Sequence, residues 1–255
     1  MKKNLLSRPA GLILFTLAVG GIGFILRLCL FAFCVDDKGL LMAGHPLGIT
    51  VYILTVLFMA ALLLRVRGLQ AAVPAYRKLF PGSLLSAIGC IAAGAGILFT
   101  AADELILRRD MVTMITAILA LLACVSLILL GLHRKKGQRP SYLLHTGVTV
   151  YMMFHLISQY RLWSPEPQLQ IYFFPLLASV FLMLTAYQAV CLDIKKGDRR
   201  AYVFFNQAAL FCSCLSLVNE NWLFYLTMGI WTATNLCSFR PAKTETPPEQ
   251  KQTEE

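Results

Sequence analysis

Charged residues are scarce in this sequence, where Asp, Glu, Lys and Arg together make up 14% of the 255 residues. Soluble globular domains carry charge on roughly a quarter of their residues. Hydrophobic residues account for 58% of the chain, and its mean hydropathy is +0.67. This balance excludes an ordinary soluble enzyme, a secreted disulfide scaffold and a disordered chain. Repeated apolar runs of about twenty residues indicate a membrane protein instead.

Sequence motifs for catalysis and cofactor binding are also missing. The chain contains no HExxH, no GxSxG and no Gly-rich phosphate loop, and no predicted span contains a lysine that could bind retinal. We therefore predict no cofactor and no metal. A haem between His45 and His155 is the one alternative, although we expect His45 to cap the second span before Pro46.

The eight cysteines include no CxxC pair. Cys212 and Cys214 stand two residues apart on a predicted helix and so point about 200° away from each other, which is poor geometry for a shared metal. We interpret the cysteines as buried apolar residues and expect no disulfide network.

Eight apolar segments are long enough to cross a bilayer core of about 30 Å, which takes about 20 helical residues. The sequence therefore predicts an all-α bundle of about eight transmembrane helices. The predicted spans are Pro9–Cys34, Pro46–Leu64, Ser83–Ala102, Met111–Leu132, Tyr142–Leu162, Ile171–Leu192, Ala201–Val218 and Trp222–Phe239. The last two are short and are separated by three residues, so we expect a tight helical hairpin there. Seven spans is the alternative.

Basic residues indicate the orientation, because short cytoplasmic segments carry an excess of Lys and Arg. Eighteen of the 23 Lys and Arg residues fall in the two termini and in alternate loops. The predicted outer loops hold only Lys38, Arg108 and Arg109. We therefore expect both termini in the cytoplasm. The net charge of +10 is a topology signal, and no nucleic-acid partner is predicted.

The predicted organisation is a single transmembrane domain over residues 1–239 and a disordered cytoplasmic tail over 240–255. A pseudo-repeat of two four-span halves, 1–132 and 142–239, is an alternative organisation of the same domain. The loop from Arg65 to Gly82 has apolar residues at helical spacing. It is interpreted either as a short interfacial helix or as a solvated basic connector.

The third predicted span is rich in small residues around most of its circumference. Small residues allow helix backbones to approach closely in lipid. We therefore expect this helix at the centre of the bundle. The candidate contact is the Gly20, Gly21 and Gly23 patch of the first span.

Polar residues within the predicted spans concentrate toward the outer side. A charge inside the bilayer costs roughly 2.5 to 3.5 kcal/mol, so each such residue needs a partner, a cavity or a nearby interface. The spacing indicates an outward-facing cluster that could bind a ligand. Its members are Arg27, Glu104, His155, Gln159, Arg161 and Glu220. The alternative is that these residues pair between helices and only lock the bundle together.

Three classes of function remain open. The first is a small-solute facilitator or ligand-binding membrane module, in which arginines of the cluster attract an anionic or polar solute. The second is a structural or partner-binding membrane protein without a small-molecule site. The third is a membrane-embedded enzyme that uses Glu104, Glu220 or His155 as an acid or base. The first is preferred, and an enzyme is not expected. The lipid bilayer is the one certain partner, and a protein partner is unknown.

One stretch resembles a family. Its residues are Tyr160, Arg161, Trp163, Ser164, Pro167, Gln168, Leu169 and Tyr172, followed by an apolar span with Met183 and Tyr187. The stretch resembles uncharacterised small multi-pass membrane proteins of clostridia-like bacteria. The resemblance covers about a fifth of the chain, implies a bacterial cytoplasmic membrane location and implies no function.

Overall fold

The computed structural model describes residues 9–34, 41, 45–69, 80, 82–108, 110–165 and 169–239. The regular structure within these ranges is helical, with eight α-helices, one 3-10 segment and no β-strand. The α-helices are α1 Pro9–Phe33, α2 Pro46–Arg67, α3 Leu84–Leu107, α4 Met111–Lys136, α5 Tyr142–Trp163, α6 Phe173–Asp193, α7 Arg199–Ser216 and α8 Trp222–Ser238. The 3-10 segment Leu169–Tyr172 leads into α6.

The all-α prediction is confirmed, and five of the described helices, α1 to α4 and α6, are long and apolar enough to cross a membrane. The other three are α5, which carries two histidines and an arginine, and the shorter α7 and α8. The predicted tail after residue 239 and most of the predicted interfacial segment lie outside the described residues. All eight cysteines are free thiols.

Local signals explain where several helices begin and end. His45 caps α2 as predicted, because its Nδ1 accepts a hydrogen bond from the Leu47 amide at 3.3 Å. Asp110 caps α4 by accepting from the Thr113 amide at 3.3 Å, and Gly137 ends the same helix in the left-handed conformation with φ 63°. Such caps satisfy amides and carbonyls that have no partner within the helix. Helices α2 and α4 begin at the predicted residues and end three and four residues beyond the predicted ends at Leu64 and Leu132.

Helices α3 to α8 form a closed ring in which each packs against its neighbours in sequence and α8 returns to α3. Helices α1 and α2 lie outside this ring, and each of them packs against α7. The predicted hairpin of the last two helices is confirmed, since α7 and α8 pack together across a turn of five residues.

The predicted contact between the first and third helices is wrong. A Cβ atom at Gly20 would lie 3.0 Å from Cβ of Cys214, and one at Gly23 would lie 2.7 Å from Cδ1 of Leu215. The glycine patch of α1 therefore packs on α7. Helix α3 packs against α4 and α8 instead, and α7 is the helix that touches four others, namely α1, α2, α6 and α8. Because α7 is enclosed by these four helices, Asn206 and Gln207 are buried and shielded from lipid.

The pseudo-repeat stays a prediction. The two proposed halves differ in their packing, because α6 packs closely on α7 whereas α2 and α3 share no contact of similar extent within the described residues.

The bundle has two ends of different charge. The acidic end is where α1, α3, α5 and α7 finish, and it carries Asp103, Glu104, Asp110 and Glu220. The basic end is where those helices begin. It carries Arg65, Arg67, Arg134, Lys135, Lys136, Arg139, Lys195, Lys196, Arg199 and Arg200. The alternation of charge between loops, seen in the sequence, thus corresponds to two physical ends of the structure.

The ring closes where α3 meets α8 through two glycines. A Cβ atom at Gly89 would lie 2.9 Å from Cβ of Thr234, and one at Gly96 would lie 2.7 Å from Cβ of Thr227. Real Cβ atoms do not approach so closely, so these two positions require glycine. The two helices are therefore in direct backbone proximity, as expected where packing replaces the hydrophobic effect.

We expect Gly96→Ala to lower the free energy of unfolding by about 1 to 3 kcal/mol, because the added methyl group pushes α3 away from α8. Gly21→Ala is the matched control, since nothing lies within 4 Å of a Cβ atom there. That control is expected to be neutral or slightly stabilising. Thermal unfolding of the detergent-purified protein measures both, and equal midpoints for the two variants would contradict the assigned helix contact.

Candidate functional site

The six residues predicted to form one cluster all lie at or near the acidic end, but in separate places. Arg27 lines a cavity beside α2, and Glu220 lines a second cavity at the turn between α7 and α8. Gln159 donates to Glu104 between α5 and α3, and Arg161 pairs with Asp110 at the surface. His155 is buried against α8. The structure therefore separates the predicted cluster into two cavities and two interhelical pairs.

Arg27 is the most deeply placed charge of the set, with 2% of its surface exposed. Its Nη1 donates to the carbonyl of Leu215 at 2.6 Å and to Oδ1 of Asn219 at 3.1 Å. Its Nη2 donates to the carbonyl of Ile171 at 3.0 Å. These three bonds connect α1 to the end of α7 and to the 3-10 segment before α6.

Aromatic rings complete the surroundings of the guanidinium. Its central carbon lies 5.0 Å from the ring centroid of Phe174 and 5.3 Å from that of Phe31. Both distances fall within the range of a cation–π interaction. The three hydrogen-bond acceptors are neutral, and Arg27 forms no ion pair with a carboxylate within the described residues. Among the described residues, dipoles and aromatic rings are thus what holds the guanidinium charge.

The cavity beside Arg27 has a volume of about 210 Å³ and lies between α1, α2 and the start of α6. Tyr52 and His45 contribute polar groups to its wall, and Phe174 contributes a ring face. Gly48 also lines the cavity, and a Cβ atom there would meet only Cδ1 of Leu30, at 4.0 Å. The site combines one cation, a few polar groups and an apolar wall, which is typical of small-molecule sites.

A thiol lies beside this cavity. Sγ of Cys34, at the end of α1, is 3.3 Å from Nδ1 of His45 at the start of α2. The contact joins the two helices next to the site, because His45 is itself a lining residue. Within the described residues no group of three or more His, Cys, Asp and Glu side chains is placed to hold a metal ion.

Glu104 and Gln159 form a pair inside the ring. The amide of Gln159, which is buried, donates to Oε1 of Glu104 and so joins α5 to α3. One helical turn earlier on α5, the ring of His155 lies 4.6 Å from that of Phe224 on α8, and its Nδ1 has no partner among the described residues. These contacts are interhelical, which is what the structural alternative predicted for polar residues in the bundle.

Arg161 occupies a different environment from Arg27. Its side chain is 48% exposed and donates through Nη2 to Oδ2 of Asp110, the cap of α4. The predicted cluster implied that Arg161 would lie beside Glu104 or Glu220. The structure pairs it with Asp110 instead. The sequence could not resolve this choice because Asp110 and Glu104 flank the same short loop.

The second cavity has a volume of about 150 Å³ and is lined mainly by aromatic and amide side chains. Its wall is formed by Phe31, Trp163, Ile171, Tyr172, Val218, Asn219, Glu220, Asn221 and Tyr225. Trp163 and Tyr172 stack with their ring centroids 4.6 Å apart and their planes 12° apart. This stack belongs to the stretch that carries the family resemblance.

A buried contact between a histidine and an aspartate at the basic end was missed by the sequence analysis. Nδ1 of His145 on α5 lies 2.7 Å from Oδ2 of Asp193 on α6, with side-chain exposures of 2% and 1%. Arg139 donates to the backbone carbonyl of Asp193. Asp193 directly follows the predicted apolar span Ile171–Leu192. No local signal identified His145 as its partner, since the two residues are 48 positions apart in the chain.

No family model, curated protein or solved structure matches this chain.

We expect Arg161→Ala to lower the free energy of unfolding by less than about 1 kcal/mol, because exposed ion pairs contribute little. Gln159→Leu is expected to cost more, about 1 to 3 kcal/mol, because it removes the donor that satisfies Glu104 between two helices. Thermal unfolding of the two purified variants measures the difference. A larger loss in Arg161→Ala would contradict the assigned pairs.

Asp193→Ala is expected to destabilise the protein by about 3 to 5 kcal/mol, because His145 loses its partner in a buried site. The double variant His145→Leu with Asp193→Leu is the control, since replacing both members by apolar groups is often close to neutral. Unfolding midpoints of the single and double variants give the comparison. A double variant less stable than the single variant would show that the pair does not act as a unit.

Proposed function

We propose that this chain is a multi-pass membrane protein that binds a small solute with an anionic group at its acidic end. The observation that carries the proposal is a guanidinium that is almost fully buried, lines a cavity and pairs with no carboxylate of the residues that the structure describes. A charge in such a place is costly unless it is paired. An anionic ligand in the cavity supplies the missing partner.

The donor geometry supports this proposal. A guanidinium has five N–H donors, and three hydrogen bonds to protein oxygens leave two of them. Arg27 makes no further hydrogen bond within the described residues. Two donors of one guanidinium suit a carboxylate or a phosphate, which accept such pairs of hydrogen bonds. Tyr52 adds a hydroxyl to the same wall.

The size of the cavity limits the ligand. A cavity of about 150 Å³ is enough for a molecule as large as benzene. The 210 Å³ beside Arg27 therefore accommodates a ligand of about eight non-hydrogen atoms, such as a short carboxylic acid. Phe174 and the apolar lining residues favour a ligand with some hydrocarbon surface.

Location and topology are part of the proposal. We propose eight membrane crossings with cytoplasmic termini in a bacterial cytoplasmic membrane. The charge difference between the two ends supports the orientation, and five helices of sufficient length and apolarity support the membrane location. In this orientation the Arg27 cavity faces the outside of the cell. Binding alone, or binding followed by facilitated passage of the solute, are the two modes of action consistent with this placement.

The test is a thermal-unfolding screen of the detergent-purified chain against acetate, propionate, 3,3-dimethylbutanoate, phosphate and amino acids. A ligand at a hundredfold excess over its dissociation constant is expected to stabilise the folded state by about 2.7 kcal/mol. We expect Arg27→Gln to abolish this stabilisation. Arg161→Gln is the matched control, because it removes an arginine from the same end without touching the cavity.

A second variant keeps the test decisive if Arg27→Gln folds poorly. Gly48→Leu fills the cavity without altering Arg27, and Gly21→Leu is its control on a surface with open space. We expect only Gly48→Leu to lose ligand stabilisation. If both Arg27→Gln and Gly48→Leu keep it, the ligand binds elsewhere. A complete absence of response in the unmodified chain would favour the structural or partner-binding alternative.

A further inference from the structure

The second cavity at the acidic end has the chemistry of a site for an organic ammonium group. Four of its nine lining residues are aromatic, and Glu220 adds a carboxylate. Aromatic faces attract cations, and aromatic cages with an adjacent acid recognise quaternary ammonium groups. Asn219 and Asn221 add polar groups that can orient a bound molecule.

Glu220 is available for such a ligand. It is an exposed residue in the turn between α7 and α8, and it forms no hydrogen bond or ion pair with any described residue. Tyr225 below it is buried and its hydroxyl lies 3.4 Å from the carbonyl of Pro175, so this ring is fixed in position. A negative charge thus stands beside a rigid aromatic wall.

The two cavities adjoin. Phe31 and Ile171 line both of them, and Ile171 also provides a backbone acceptor for Arg27. Asn219 lines the second cavity while its Oδ1 accepts a hydrogen bond from Arg27 at 3.1 Å. The aromatic wall and the guanidinium of Arg27 are therefore neighbours, because the two cavities share Phe31 and Ile171 as lining residues.

We infer that the ligand is a zwitterion, with its anionic group at Arg27 and an organic ammonium group in the aromatic cavity. This inference rests on the proposed function of the Arg27 cavity. It also explains how a cation can be held close to Arg27. The ligand's own anion neutralises the guanidinium, whereas a cation alone would be repelled by it.

Zwitterions of this kind come from two sources, free solutes and lipid headgroups. An apolar groove of about 230 Å³ runs between α1, α7 and α8 and shares Tyr225 with the aromatic cavity. It extends along α8 from Tyr225 to Ala233, which is about 12 Å at the helical rise. The groove could receive the acyl chain of a lipid, whereas a free solute would leave it unused.

The first experiment uses a pair of isosteric probes on the full-length purified chain. Glycine betaine and 3,3-dimethylbutanoate have the same shape and the same carboxylate, and only betaine carries the ammonium charge. We expect betaine to bind at least tenfold more tightly, which corresponds to about 1.4 kcal/mol. Tetramethylammonium alone is expected to bind more weakly than betaine. Titration calorimetry or ligand-dependent unfolding midpoints give the dissociation constants.

Variants of the second cavity locate the effect. In Glu220→Gln and Trp163→Leu, we expect the ratio of the two dissociation constants, 3,3-dimethylbutanoate over betaine, to fall to near one. The affinity for 3,3-dimethylbutanoate should stay unchanged. Asp103→Asn and Trp222→Leu are the matched controls, because these residues are exposed at the same end and line neither cavity. Both controls should retain the preference of the unmodified chain.

The second experiment separates the two sources. The chain is reconstituted in nanodiscs of phosphatidylcholine or of phosphatidylglycerol, and its unfolding midpoint is compared. A lipid ligand predicts greater stability in phosphatidylcholine, lost in Glu220→Gln and in Gly229→Leu, which fills the groove. A free solute predicts betaine binding that is unaffected by Gly229→Leu.

Two results would overturn the inference. Equal affinities for the isosteric probes, with no advantage of phosphatidylcholine, would show that no ammonium site exists, while the response to 3,3-dimethylbutanoate would leave the proposed function standing. A betaine preference that persists in both Glu220→Gln and Trp163→Leu would place the cation elsewhere. Loss of every anion response in the unmodified chain would remove the proposed function itself.

Discussion

The hydrogen bonding of Arg27 is the constraint on which the acidic end depends. A buried guanidinium must find acceptors, and the carbonyl of Leu215 is free because it lies in the last turn of α7. The carbonyl of Ile171 belongs to the 3-10 segment before α6. One side chain of α1 thereby ties together the ends of two ring helices. Both cavities border the position that these bonds define, since Phe31 and Ile171 line each of them.

The Arg27 cavity at the acidic end results from the placement of α1 and α2 outside the ring. Helices α3 to α8 pack closely against their neighbours in the ring, as the two glycine contacts between α3 and α8 show. Helices α1 and α2 reach the ring chiefly through α7. The Arg27 cavity lies along the boundary between that outer pair and the ring, where packing is less complete. A binding site at such a boundary is expected wherever helices of a bundle separate toward one end.

Much of the helical content was predictable because it depends on apolar length and on capping residues close in sequence. The hairpin of the last two helices and the cap at His45 were identified for that reason. Residue spacing also predicted that Arg27 and Glu104 lie near the same end of the bundle. Counting 1.5 Å per residue places a side chain along the membrane normal, but it does not give the direction of that side chain around the helix.

Partner choice was not predictable, because it depends on which helices are neighbours. The glycine patch of α1 was assigned to α3, whereas its partner is α7, which it contacts at Cys214 and Leu215. Arg161 was placed with Arg27 from depth alone, yet the two arginines belong to different surfaces of the bundle. The pair of His145 and Asp193 joins helices whose contact is set by the ring as a whole.

The packing of the helices bears differently on the two proposed modes of action, binding and transport. Below the Arg27 cavity, Phe58 of α2 stacks on Phe211 of α7 with ring centroids 4.2 Å apart. A carrier must expose its site to each side in turn, which requires two arrangements of similar free energy. Passage here would require α1 and α2 to leave α7, breaking this stack and the close contacts at Gly20 and Gly23.

The basic end adds to this difference. There Arg134 lies over Phe80 at 3.6 Å, and Phe80 packs edge-on against Tyr202 and Phe239. At the end opposite the cavities the described residues thus pack rings and a cation together. At the acidic end, Arg27 has donors and Glu220 a carboxylate that no described residue pairs. Binding at the acidic end requires no second arrangement, whereas transport would require both the aromatic stack and this closure to open. Of the two modes of action that we propose, binding alone is the one that would leave this packing intact.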